Sequence, residues 1–140
     1  MSDGIFSIIG SALNAQDMRM SAIASNLANS SSIAKPGEQP YRAHEVVFQA
    51  DPVAGDGGGN NAELGVQVAG VVQSNAPPTV KYDPGSPYAD AKGYVTSSNV
   101  SPVEEMVNMI DSSNSYSASI ALLQQASRID EQMINSFQVT

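Results

Sequence analysis

The feature that most constrains this 140-residue sequence is a pair of heptad seams, one at each end. Near the start, Phe6, Ile9, Leu13, Gln16, Met20, Ile23 and Leu27 alternate three- and four-residue steps, with Gln16 the single polar member. Side chains at that spacing share one face of an α-helix and form the stripe through which helices pair. The pattern predicts a helix over about residues 3–29, with Asp3 as its N-cap. Near the end, Ser101-Pro102-Val103-Glu104-Glu105 reads as a helix start. A serine cap, proline in the first turn and acids facing the positive end of the helix dipole all favour it. Val103, Met106, Ile110, Ser113, Tyr116, Ile120 and Leu123, continued by Ala126, Ile129, Met133 and Phe137, give the second seam. No glycine or proline follows Pro102, so one long helix is expected.

Between the seams the character changes. Seven of the eight prolines and most of the glycines fall in residues 31–100. Tyr41 to Gln49 and Gly65 to Ser74 are rich in valine and partly alternate; Thr79 to Tyr82 and Gly93 to Thr96 are weaker runs of the same kind. These predict two to four short strands. A two-stranded unit is marginal in water, so it must lean on something larger. The stretch Ala54 to Glu63 carries too little apolar mass to pack and reads as a loop tip. The expected fold is therefore α+β. Long N- and C-terminal helices pair as a coiled-coil-like hairpin or bundle, with a small central β-rich insert. The boundaries are an N-terminal helix in 1–30, the insert in 31–100 and a C-terminal helix in 101–140.

A helix pair of this size exposes much of its apolar stripe and needs neighbours. Composition agrees. Only 14% of residues are charged, and polarity comes instead from 20 Ser, 10 Asn and 9 Gln. Helix faces of that kind suit burial against other helices, where an unpaired charge is costly. The expected helix-packing and assembly residues are Phe6, Ile9, Leu13, Met20, Ile23 and Leu27 in the first helix. In the second they are Met106, Ile110, Tyr116, Ile120, Leu123, Ile129 and Met133.

Several chemistries are poorly served. The formal charge is −8 and the six bases stand singly, so no stripe can track nucleic-acid phosphates. Cysteine is absent, which excludes disulfides, thiolate metal sites and cysteine nucleophiles. His44 is the lone histidine and reads as a strand residue at the surface or against Tyr41. Gly57-Gly58-Gly59 lacks the lysine and hydroxyl residue of a phosphate loop, and the oxygens nearby lack calcium-loop order. Glu104 and Glu105 read as a solvated helix start. No cofactor, metal or catalytic residue is expected, nor is membrane insertion, since no apolar run reaches 18 residues. The opening MSDGIFSIIG has neither a basic region nor a long apolar core, so no cleaved secretory signal is expected.

One group of motifs goes further. Ser25-Asn26-Leu27-Ala28-Asn29 closes the first seam and is followed by Pro40-Tyr41-Arg42. This resembles the flagellar rod and hook proteins. Ala89-Asp90-Ala91-Lys92-Gly93-Tyr94-Val95, then Asn99-Val100, Glu105-Met106-Val107-Asn108-Met109-Ile110 and Ser115-Tyr116, resemble more narrowly the proximal-rod branch of that family. The resemblance spans nearly the whole chain. Departures lie at Ala12, at Ser-Ser-Ser-Ile after Asn29, and in the tail from Met133 to Thr140.

The resemblance implies a structural subunit of the flagellar basal-body rod rather than an enzyme. Terminal helices would stack around a channel to form the drive shaft, with the insert outside. Subunits would pass through the flagellar type III export apparatus and meet other rod subunits, membrane-ring or junction proteins and copies of themselves in the periplasm. Order in the terminal helices would be coupled to that assembly. Two alternatives stay open: another axial or junction subunit, and a small soluble protein-binding module.

Overall fold

A computed structural model describes residues 2–53 and 63–137. The element order is α1 (Ser2–Asn29), β1 (His44–Val53), β2 (Glu63–Gln73), β3 (Thr79–Tyr82), β4 (Tyr94–Ser97) and α2 (Pro102–Phe137). The expected helix, β-rich insert, helix arrangement is thus present. Helix α1 already includes Ser2, so Asp3 lies inside the first turn rather than capping it. The loop expected over Ala54 to Glu63 falls outside the described residues, except that Glu63 opens β2.

The two helices pack antiparallel. Arg19 reaches Asp111 near the middle of the pair, while Ile5, Phe6 and Ile9 face Leu122, Ala126, Ile129 and Met133 across an open groove at one end. Helix α2 has 36 residues against 28 in α1, so it runs longer by about 12 Å at 1.5 Å per residue.

The strands form two separate antiparallel pairs rather than one sheet. β1 pairs with β2 from His44↔Gln73 to Val53↔Glu63, with an irregularity between Val47 and Phe48. Pairing starts at His44 rather than at the expected Tyr41, and the Ala43 N–H turns to Asn99 Oδ1 instead. The hairpin lies along α1. Asn26 bonds His44 at the hairpin's base, and Ser11 Oγ accepts from Val66 N–H at 3.1 Å farther along. Helix α1 is therefore the central rod, with α2 and the β1–β2 hairpin both packed on it. The support expected of a marginal two-stranded unit comes from this helix.

β3 and β4 pair from Thr79↔Ser97 to Tyr82↔Tyr94. Gly93 leads into β4 with φ +84, in the left-handed region. A Cβ there would sit 2.9 Å from Tyr82 Cε2 and 3.1 Å from Pro84 Cβ. Asp90 organises the same turn: its Oδ1 accepts from Lys92 N–H at 2.8 Å and Tyr94 N–H at 2.9 Å. Those bonds hold the Asp90 carboxyl below its ordinary range. Tyr82 and Tyr94 then meet edge to face at 5.3 Å.

The buried core is small. Ile9, Ala15 and Ile23 run along α1, and Ala43, Val95 and Val100 are the described buried apolar residues outside the helices. Gly93→Ala should destabilise the chain by about 1–3 kcal/mol, through backbone strain and the clash with Tyr82. A denaturant melt checks this, and an unchanged midpoint would contradict the account.

Candidate assembly surfaces and the polar junction

Asn26 is 1% exposed, although it lies on the polar edge of a helix-forming pattern. Its side chain is the clasp between α1 and β1. Nδ2 donates to the His44 carbonyl at 2.9 Å, and Oδ1 accepts from His44 N–H at 2.8 Å. The carboxamide thus satisfies both backbone groups of one residue at the start of a strand. Tyr41 completes the cluster. Its hydroxyl lies 3.1 Å from Asn26 Oδ1, 2.8 Å from His44 Nδ1 and 3.2 Å from Ser25 Oγ. The Tyr41 and His44 rings meet edge to face at 5.2 Å, so His44 rests against Tyr41. Asn29 Nδ2 caps the Ser25 carbonyl at 2.8 Å, and Arg42 reaches the Ser74 carbonyl at 3.5 Å.

Two residues outside the expected site set finish the junction. Asn99 Oδ1 accepts from Ala43 N–H at 2.7 Å, while its Nδ2 donates to the Ala76 carbonyl at 3.0 Å. Ser98, 1% exposed, donates from Oγ to the Ser30 carbonyl at 2.8 Å. Their sequence signal was position: short polar side chains between a strand run and a helix start bond neighbouring backbone.

Helix α2 enters beside this junction. Glu105 is half-buried rather than solvated as its sequence position implied, and its Oε2 is buried without a partner. Burial pushes its carboxyl up, the Asn26 hydrogen bond draws it down, and Glu104 and Glu45 push it up again. Arg19, Ile23, His44, Glu45, Glu105 and Asn108 line a cavity of about 150 Å³ there.

The orientation of α2 determines which of its residues face α1. Ser112 is fully buried, and Glu105, Asn108, Ser115, Ser119, Leu123 and Ala126 are the half-buried positions in register with it. The small side chains let the two backbones approach closely. Ile110 is two residues, or about 200°, from Ser112 and points away. The first part of the expected seam therefore lies outside. Its members Val103, Met106 and Ile110 are 71%, 52% and 62% exposed, and Val107 beside them is 61% exposed. Tyr116, Ile120 and Leu123, from the middle of the seam, are half-buried.

In α1, Ile9 and Ile23 are buried, and Phe6, Leu13, Met20 and Leu27 are half-buried. At the far end of the pair, Ile129 and Met133 border an open apolar groove of about 540 Å³ that Ile5, Phe6 and Ile9 close from the other side. Of the remaining motif residues, Pro40 is half-buried, Gly93 buried, and Ala28 and Tyr94 exposed.

The chain is thus a helix hairpin with outward apolar faces and a β insert clasped to it. The family model described as Flagellar basal body rod FlgEFG protein C-terminal matches residues 91–136, from the Asp90 turn through nearly all of α2. The match extends well beyond that helix. The flagellar basal-body rod protein FlgC of Salmonella typhimurium is 51% identical over 119 residues, covering 85% of each chain. That of Escherichia coli O157:H7 is 50% identical over the same span and coverage. That of Borreliella burgdorferi is 36% identical over 135 residues, covering 86% of this chain and 89% of its own. The chain belongs to the FlgC family of flagellar basal-body rod proteins. It is thus a structural subunit of that rod, and no helix among the described residues is long and apolar enough to cross a membrane.

Two outcomes test the junction. Asn26→Ala should cost about 1–3 kcal/mol, because it strands the buried N–H and carbonyl of His44; chemical denaturation measures it. Glu105 has a raised folded-state pKa, so its contribution favours the folded chain at low pH and is lost as pH rises through that raised value. Glu105→Gln should therefore flatten the decline in stability above the ordinary carboxylate range and raise the neutral-pH melting temperature. An unchanged pH profile would contradict this.

Proposed function

We propose that the chain polymerises through its terminal helices, contributing to the rod's drive shaft and to the wall of its export channel. The observation that carries the reading is the outward placement of α2's large apolar residues. The inward face is filled by Ser112, Ser115 and Ser119, while Val103, Met106, Val107 and Ile110 stand in solvent. Contiguous apolar surface of this kind marks an interaction site. In a chain of the rod family, the partners it serves are neighbouring rod helices. The groove between Phe6 and Met133 offers a second such surface at the other end of the hairpin.

In this reading Phe6, Ile9, Leu13, Met20, Ile23 and Leu27 hold α1 within the hairpin. Tyr116, Ile120 and Leu123 hold α2, and Met106, Ile110, Ile129 and Met133 turn toward other subunits. The division into 1–30, 31–100 and 101–140 becomes functional, with the two helical parts building the tube and the insert making contacts around it. The role is mechanical rather than catalytic. Partners include other rod subunits, membrane-ring or junction proteins and further copies of the chain, reached in the periplasm through the type III export apparatus without a cleaved signal.

Ile110→Asp separates folding from assembly. The side chain is 62% exposed, so the purified variant should melt within about 0.5 kcal/mol of the parent. Cells relying on the variant should fail to complete the rod and to swim, because assembly would bury an unpaired carboxylate. Normal swimming on soft agar would sink the proposal.

A further inference from the structure

Resting on that assembly reading, we infer that the ridge at the start of α2 receives an amphipathic helix of a non-identical chain, its apolar stripe bordered by lysine or arginine. Val103, Met106, Val107 and Ile110 fall within about 100° of arc on α2, opposite the face that packs on α1. Such a ridge fits the groove between side-chain rows of another helix. Glu104 and Asp111, seven residues apart, border the ridge on one side, and both are exposed. Among the described residues Asp111 is engaged only by Arg19, at a long 3.4 Å and largely in solvent, which is a weak tie. The border is therefore acidic along two turns, and charge complementarity asks for bases on the occupant.

A second copy of this chain does not supply them. Its formal charge is −8, and Lys35, Arg42, Lys81 and Lys92 all lie between the helices. Its helices carry only Arg19, already turned toward Asp111, and Arg128, which stands singly on α2. No pair of bases lies along a helical stripe, whereas each copy would bring its own acids. Met106 within the ridge adapts to a neighbour of different shape, as fits a contact between unlike chains.

The test uses the full chain and two synthetic helical peptides that share one leucine and alanine stripe and differ only in lysine or glutamate at its borders. Fluorescence anisotropy should show the lysine-bordered peptide binding about tenfold more tightly at low salt, with the advantage shrinking as salt screens it. The double variant Glu104→Gln with Asp111→Asn should bring the two affinities together, and Ile110→Asp should remove binding of both. Val107→Gln, also at an exposed position, repeats the last arm without adding charge, and circular dichroism confirms that each variant keeps its helices.

Equal affinities, or a preference that survives the double neutralisation, would overturn the inference. So would concentration-dependent self-association of the chain, seen by sedimentation and lost in Ile110→Asp, because the occupant would then be a second copy. Either result alongside non-motile Ile110→Asp cells leaves the assembly reading standing, whereas swimming Ile110→Asp cells remove that reading itself.

Discussion

The structure depends first on one carboxamide. Asn26 pairs with both backbone groups of His44, and through that strand start it fixes where the β1–β2 hairpin sits on α1. Glu105, in the first turn of α2, comes close enough to Asn26 for that side chain to lower its carboxyl. A buried amide with two backbone bonds is more directional than an apolar contact, which tolerates sliding. The core is too small to impose register by packing alone: among the described residues of α1, the buried apolar side chains are Ile9, Ala15 and Ile23. A polar clasp supplies the specificity that a larger core would otherwise give.

The second consequence concerns which side chains are spent inside. Placing Ser112 and its small neighbours against α1 brings the helices close but buries little apolar area. The large side chains near the start of α2 are left outside. Within one isolated subunit this is a poor use of hydrophobic surface, since an exposed Ile110 contributes almost nothing to folding. It becomes economical in a polymer. The internal face then needs only enough affinity to shape the hairpin, and most of the apolar burial occurs between subunits. Stability and assembly are thereby separated on opposite faces of one helix.

Much of the architecture was legible in the sequence because long helices write their period over many residues. Both helices, their pairing and all four strands were readable, and the motif around Asn26 and Gly93 pointed to the family now shown by close relatives. The facing of α2 was harder to read. A seam identifies a stripe, but not whether that stripe meets a helix of the same chain or of another. Val103 and Ile110 lie on a regular apolar repeat and are exposed, while Ser112 is buried and Glu105 and Asn108 are half-buried. Hydropathy ranks those residues in the opposite order. The separation of the strands into two pairs was likewise hidden, because it depends on tertiary bonds from Asn99 and Ser98 rather than on strand propensity.

The Glu105 carboxylate shows how the clasp and the ridge constrain one another. An acid four positions after Ser101, in the first turn, would ordinarily gain from the dipole in full solvent. Here the turn that presents Val103, Met106 and Ile110 outward carries Glu105 inward, toward Asn26 and Glu45, where burial raises its carboxyl. Rotating α2 to release Glu105 would swing the ridge toward α1 and bring Ser112 out. The energetic cost of holding one acid partly out of water is therefore tied to keeping the apolar stripe exposed. A chain optimised to be a stable monomer would relieve that strain by replacing Glu105 or turning the helix. Retaining both features makes sense where the outward face is the one that matters.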